Sequence, residues 1–304
     1  MNISYFFDLG SQQPDLDFVD IKLETDNLLF IDPRLIEFSQ SRYSSEMHFC
    51  IESFWGEFIK RVRSKDKREI YSLLAGLKEP QETRLGYSRS AFQGKSVANK
   101  LKPKLVEALR ANKAIQSGVL SHFADVELFI EDISSDRISD ITTKIIKSVL
   151  IRYTQQQCKL LGIPMKLVKQ DDIYNPHTNC WDKEVVSLPV HLDEPILFVP
   201  KDIVRGIGNC NKNVNCFYRF AIRNFVKRDP FMLKDVSASG KEGKILIRDI
   251  KSRYPISKTS LTEWSLRYGK LLVDYKTNYL KGILRPMTDF EIMKVVYDDF
   301  KQAI

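Results

Sequence analysis

Four carboxylates fall within a ten-residue stretch: Glu131, Asp132, Asp136 and Asp140. Oxygen donors of this kind suit hard divalent cations such as Mg2+ or Mn2+. A cation so held can activate water and stabilise the leaving oxygen in phosphodiester cleavage. Residues 125–132, DVELFIED, read as a strand. Ser135 suits the N-cap of a helix that runs to Gly162, just ahead of Pro164. A strand would deliver Glu131 and Asp132 at its C-terminal end, and Asp136 and Asp140, one turn apart, would reach the same ion. On this expectation all four acids are catalytic, and Asp132, Asp136 and Asp140 are the metal ligands. A plainer reading stands beside it: acids in a first turn favour the helix dipole, and Asp140 with Lys144 makes an ordinary i,i+4 pair.

A second constellation is basic. Residues 77–96, LKEPQETRLGYSRSAFQGKS, form a long polar loop, and loops of that length are commonly functional. Gly94-Lys95-Ser96 opens a helix expected over 97–112, offering free backbone N–H groups, a cation and a hydroxyl to a phosphate. Arg84, Arg89, Lys95 and Ser96, with Lys100 and Lys104 on the helix, are the expected nucleic-acid contacts. The pattern is not a phosphate-binding NTPase loop, because Arg89 stands where GxxxxGK[ST] needs glycine.

Charge patterning points the same way. Residues 1–200 hold 26 Lys/Arg against 28 Asp/Glu, residues 201–304 hold 21 against 11, and residues 60–113 alone hold 15 against 5. Two separate basic segments are what an electrostatic footprint for DNA or RNA looks like. Solvated lysine-rich helix faces are the bland alternative. No apolar run approaches the ~20 residues of a membrane span. The acidic N-terminus is not a signal peptide, and five cysteines in a chain of this size read as reduced thiols. The expectation is therefore a cytoplasmic protein without membrane attachment. His177 and Cys180 have a usable gap for zinc but no second pair. None of the four histidines sits beside an evident nucleophile.

Two stretches, GYSRSAFQGKS (86–96) and FIEDISSDRISDITTKIIKSVLIRYTQ (129–155), resemble segments of uncharacterised bacterial proteins associated with phage-defence or mobile-element loci. The resemblance implies a defence-type nuclease or accessory factor. A strand ending in Glu131 before an acidic helix also resembles topoisomerase–primase nucleases, although their later Asp-x-Asp is not found on a recognisable strand here.

The elements that would position these groups can be traced from periodicity. FVDIKLETDNLLFID (18–32) suggests two short strands, and Pro33 opens a short helix. A helix over about 45–63 carries Ile51, Phe54, Trp55 and Phe58 at i, i+3, i+4 and i+7. Over 135–161, Ile138, Ile141, Ile145 and Val149 share one face, with Asp136, Asp140, Thr143 and Lys147 opposite. MKLVK (165–169) and ILFVP (196–200) read as strands. From about 212 onward the pattern is helical, with Phe217, Tyr218, Phe220, Phe225, Trp264, Tyr268 and Tyr275 among the basic residues, most of them expected in the core. The fold class expected is α+β and helix-rich. It would have a small mixed α/β core in a domain over 1–205 and a basic helical module over 212–304. The function expected is a nucleic-acid-interacting, defence-type protein acting as a divalent-metal nuclease. The alternative is a non-catalytic subunit whose basic tail docks on a protein or ribonucleoprotein partner encoded in the same system.

Overall fold

Ile51, Phe54, Trp55 and Phe58 are each 3 % exposed or less, on the helix Arg42–Ser64 (α1), as their helical spacing requires. This apolar stripe is the spine of the structure, a computed structural model that describes residues 1–64, 66–86, 106–107, 111–131, 133–206 and 213–297. Further long helices are Lys67–Leu74 (α2), Ser135–Ile145 (α3), Lys147–Leu161 (α4), Asn213–Asn224 (α5), Lys258–Arg267 (α6) and Asp289–Tyr297 (α7). The strands are Leu29–Ile31 (β1), Lys166–Asn175 (β2), Cys180–Leu188 (β3), Val190–His191 (β4), Glu194–Pro195 (β5) and Val204–Gly206 (β6). They pair as β1–β6, β2–β3 and β4–β5, all antiparallel. The fold is helix-rich α+β. Its small sheets are antiparallel throughout, and in the middle of the chain α3 and α4 pack against β1 and the β2–β3 hairpin.

The chain divides into two compact units, neither continuous in sequence. Unit 1 comprises 1–107, 134–207 and 285–304; unit 2 comprises 108–133 and 208–284. In unit 1 the backbone N–H of Ile31 donates to Ser139 Oγ at 2.9 Å, tying β1 to α3. Asp32 caps the helix Pro33–Phe38 by accepting from the Arg34 N–H, and also pairs with Arg205 at 2.7 Å. Trp181 of β3 donates its indole N–H to the Leu73 carbonyl at 2.7 Å. Its ring lies so close over Gly76 that a Cβ there would come within 2.2 Å of the indole.

Several elements depart from the expected pattern. The helix over 135–161 is two helices, because Ile146 (φ −90°, ψ 6°) breaks the run. Ser134, not Ser135, occupies the N-cap, and Gly162 closes α4 in the left-handed region (φ 69°). Thr143 and Lys147, opposite Ile138 and Ile145 as expected, are also buried, each 3 % exposed. ILFVP is extended and buried, but its N–H groups go one at a time to the Pro189 carbonyl, the Glu82 carbonyl and Thr154 Oγ1, so no ladder forms. Of residues 18–32 only β1 becomes a strand, while Phe18 and Lys22 make isolated bridges. Most of the helix expected over 97–112 lies outside the described residues.

Unit 2 overturns the strand expected at 125–132. Phe123–Asp125 is a 3-10 turn and Val126–Phe129 an α-helical turn, with all four of the latter residues buried. The apparent alternation came from Asp125 and Glu127, acids that a strand would turn to solvent. Both are buried instead, Asp125 paired with Lys276 at 3.4 Å and Glu127 accepting from Asn213. With no strand ending at Glu131, the likeness to topoisomerase–primase nucleases loses its basis. The other elements among the unit's described residues are helical, and Phe217, Tyr218, Trp264 and Tyr275 are core residues.

A buried ion triad fastens the loop before Gly86 to both central helices of unit 1. Lys147 Nζ donates to Glu82 Oε1 at 2.6 Å and to the Asp171 carbonyl at 3.0 Å, and Lys144 Nζ lies 3.5 Å from Glu82 Oε2. The lysine side chains are 6 % and 3 % exposed. Burial alone would raise the Glu82 carboxyl, but the two ammonium groups outweigh it and hold it down at about 2. Breaking a buried pair leaves an uncompensated charge and typically costs about 3–5 kcal/mol. Glu82→Gln should lose that much in urea unfolding at pH 7. Because the folded-state value is depressed, Glu82 stabilises above the ordinary carboxylate range, and that contribution is lost as pH falls from about 4.5 toward about 2. The variant should lack this acid limb; a loss below about 1 kcal/mol would show that the triad does not hold the loop. Gly76→Ala should cost about 1–3 kcal/mol by overpacking and red-shift tryptophan emission; an unchanged spectrum and midpoint would contradict the close approach of Trp181.

Candidate functional site

Asp136 and Asp140 are carried by the first two turns of α3, whose other side is fixed by Ser139 against β1 and by Ile138 in the core. The acids gathered around them come from elsewhere in unit 1. Asp26, Glu79, Asp136 and Asp140 all act on one another electrostatically. The loop containing Glu79 is held against Asp26 by its neighbours: the Asn27 N–H donates to the Arg84 carbonyl at 2.8 Å, and the Gly86 N–H to the Asn27 carbonyl at 3.0 Å. Gly86 has φ 130°, and a Cβ there would sit 3.7 Å from Asp136 Oδ1, so the loop backbone runs directly beside that carboxylate.

The electrostatics of this group are unusual. Burial, then the like charges of Asp136 and Glu79, push Asp140 up to about 8. Burial raises Asp136 as well, against the opposing pull of Arg137, and burial with Asp26 and Asp136 raises Glu79. The i,i+4 partner that would relieve Asp140 is Lys144. It forms its ion pair with Glu82 instead, and no Asp140–Lys144 pair is present among the described residues. Carboxylates driven up by burial and by one another mark functional sites more often than chance. They can share protons, or be neutralised together by a cation.

The other residues singled out in the sequence fall as follows. Glu131 is exposed and belongs to unit 2, whereas Asp136 and Asp140 belong to unit 1. Arg84 is ion-paired with Glu194. Asp132, Arg89, Lys95, Ser96, Lys100 and Lys104 lie outside the described residues. Among the described residues, no group of three or more His, Cys, Asp or Glu side chains is arranged to hold a metal ion. His177 and Cys180 are exposed on the β2–β3 hairpin. Asp26 and Glu79 were not visible as site residues in the sequence, since nothing local links them to α3. A separate groove of about 540 Å³ opens between α1, α4 and the β2–β3 hairpin, with Phe49 and His177 as ring neighbours 5.5 Å apart and Arg152 paired to Glu46 at 2.5 Å. None of the acidic or basic candidates lines it.

The raised Asp140 carboxyl has a definite stability signature. Its folded-state value exceeds its ordinary one, so its contribution is fully present below about 4 and is lost as pH rises through about 8. Asp140→Asn should match the wild type at pH 4 and exceed it at pH 8 by about 1.4 kcal/mol or more, the worth of one pKa unit. Thermal melts at the two pH values check this, and equal midpoints at pH 8 would contradict it.

No helix among the described residues is long and apolar enough to cross a membrane. Searches of the curated proteins and of the solved structures each found no match to this chain. One family model does match, over residues 8–211, a span that includes α1, the Glu82 triad and the Asp136–Asp140 pair. The chain therefore belongs to the family described as a domain of unknown function (DUF8370).

Proposed function

We propose that this protein binds nucleic acid through unit 2 and cleaves it with a divalent cation held by Asp136 and Asp140 of unit 1. The observation that carries the reading is the partition of charge. Unit 2 contains 18 Lys/Arg against 10 Asp/Glu, and unit 1 contains 29 against 29, so the chain's whole excess of eight positive charges resides in unit 2. Four of these cations, Arg219, Arg223, Lys227 and Arg228, follow one another along α5 and the turn after it. All four are exposed, and none has an acidic partner among the described residues. Unpaired cations of this kind bind phosphate by releasing counterions.

For unit 1 the support is the crowding of like charge at Asp140. A Mg2+ or Mn2+ ion would relieve it, and would supply water activation and leaving-group stabilisation. Arg89, Lys95, Ser96, Lys100 and Lys104 are proposed as phosphate contacts beyond Gly86. The four described free cysteines, Cys50, Cys158, Cys180 and Cys216, support a reducing, cytoplasmic setting. The likeness of 86–96 and 129–155 to defence-locus proteins supports a defence role.

Binding should weaken steeply with salt, with log K falling by roughly 3–4 per tenfold rise if four phosphates are neutralised. Cleavage of DNA or RNA should require Mg2+ or Mn2+ and be abolished in Asp136→Asn and Asp140→Asn, with binding retained. Failure to retain any oligonucleotide at about 50 mM salt would overturn the reading. Salt-dependent binding without cleavage would leave a binding subunit and remove the nuclease.

A further inference from the structure

Resting on the proposal that unit 2 contacts nucleic acid, the geometry around Tyr279 points to the form that it takes. Leu271–Tyr275 continues through a π-helical turn, Lys276–Leu280, into Lys281–Ile283. Such turns are rare and occur frequently at functional sites, because the extra residue re-aims the side chains around it. Tyr275 and Leu280 remain buried, whereas Tyr279 is 36 % exposed. Its ring stacks on Tyr275 at 5.6 Å with an interplanar angle of 24°, and lies 5.9 Å from Phe220 of α5. The ring is thus braced by Tyr275 and Phe220 while the residue keeps about a third of its surface open to solvent. Cys216, Arg219 and Arg223 are near enough to its hydroxyl to act on it electrostatically.

Those two arginines sit one turn apart on α5, both exposed and neither paired with an acid among the described residues. Lys227 and Arg228 extend the same basic run. An open aromatic face beside a line of unpaired cations is the arrangement that takes unstacked bases and their phosphates. A duplex hides its base faces and would meet only the cations. We infer that unit 2 binds single-stranded nucleic acid, one base stacking on Tyr279 while Arg219 and Arg223 hold the flanking phosphates.

The test uses the full chain and fluorescence anisotropy with a labelled 20-nucleotide single strand and the matching duplex, across a salt series. The wild type should favour the single strand. Tyr279→Leu, which keeps apolar packing against Phe220, should weaken single-strand binding by roughly 5- to 150-fold. It should leave the salt slope and duplex binding unchanged, and Tyr279→Phe should bind as the wild type. Arg219→Gln with Arg223→Gln should instead reduce the salt slope by about 1–2. A 5-iodouracil strand should photo-crosslink to Tyr279. Equal affinity for single strand and duplex, or an unaltered Tyr279→Leu, would overturn this inference while leaving the salt-dependent interaction standing. Absence of any binding would overturn both.

Discussion

One buried carboxylate decides the chemistry of unit 1. Glu82 draws in both Lys144 and Lys147, and three charges taken out of water tolerate little displacement. The triad anchors the segment leading to Gly86 and pins the adjoining ends of α3 and α4. It also commits Lys144 to an ion pair with Glu82, so that its charge only partly offsets the rise at Asp140, one turn back. Asp140 is left among Asp136, Glu79 and Asp26 and is pushed up to about 8. Burial is the largest cause of that rise, followed by Asp136 and Glu79, while Lys144, shared with Glu82, opposes it.

Unit 2 handles charge differently. Among its buried acids, Asp125 pairs with Lys276 and Glu127 accepts from Asn213, both on its own helices. The surplus cations are turned outward along α5. The aromatic residues between them divide by depth: Phe217 and Tyr275 fill the core, while Tyr279 stands at its edge. An interior made of rings can therefore extend to the surface as a stacking platform without a separate construction. The π-helical turn supplies the change in register that places Tyr279 there.

Much of this was legible in the sequence, and what was missed has identifiable causes. The stripe Ile51–Phe54–Trp55–Phe58 is readable because one face of α1 is apolar and the other wet. Asp136 and Asp140 were legible as a pair because a helix sets their spacing. Their companions Asp26 and Glu79 were not, because tertiary packing alone joins them. DVELFIED has the alternation of a strand only if its polar residues face solvent, and Asp125 and Glu127 are buried. Glu127, Lys144 and Lys147 are buried through partners distant in sequence. The break at Ile146 gives no local signal, being an isoleucine within an apolar run.

The most direct measurement is the protonation of Asp140 itself. A pH titration of its side-chain carboxyl carbon by NMR, in the metal-free protein, should show a midpoint near 8, and adding Mg2+ should drive that midpoint down. A midpoint near 4 without added cation, in the range of an ordinary aspartate, would contradict the account.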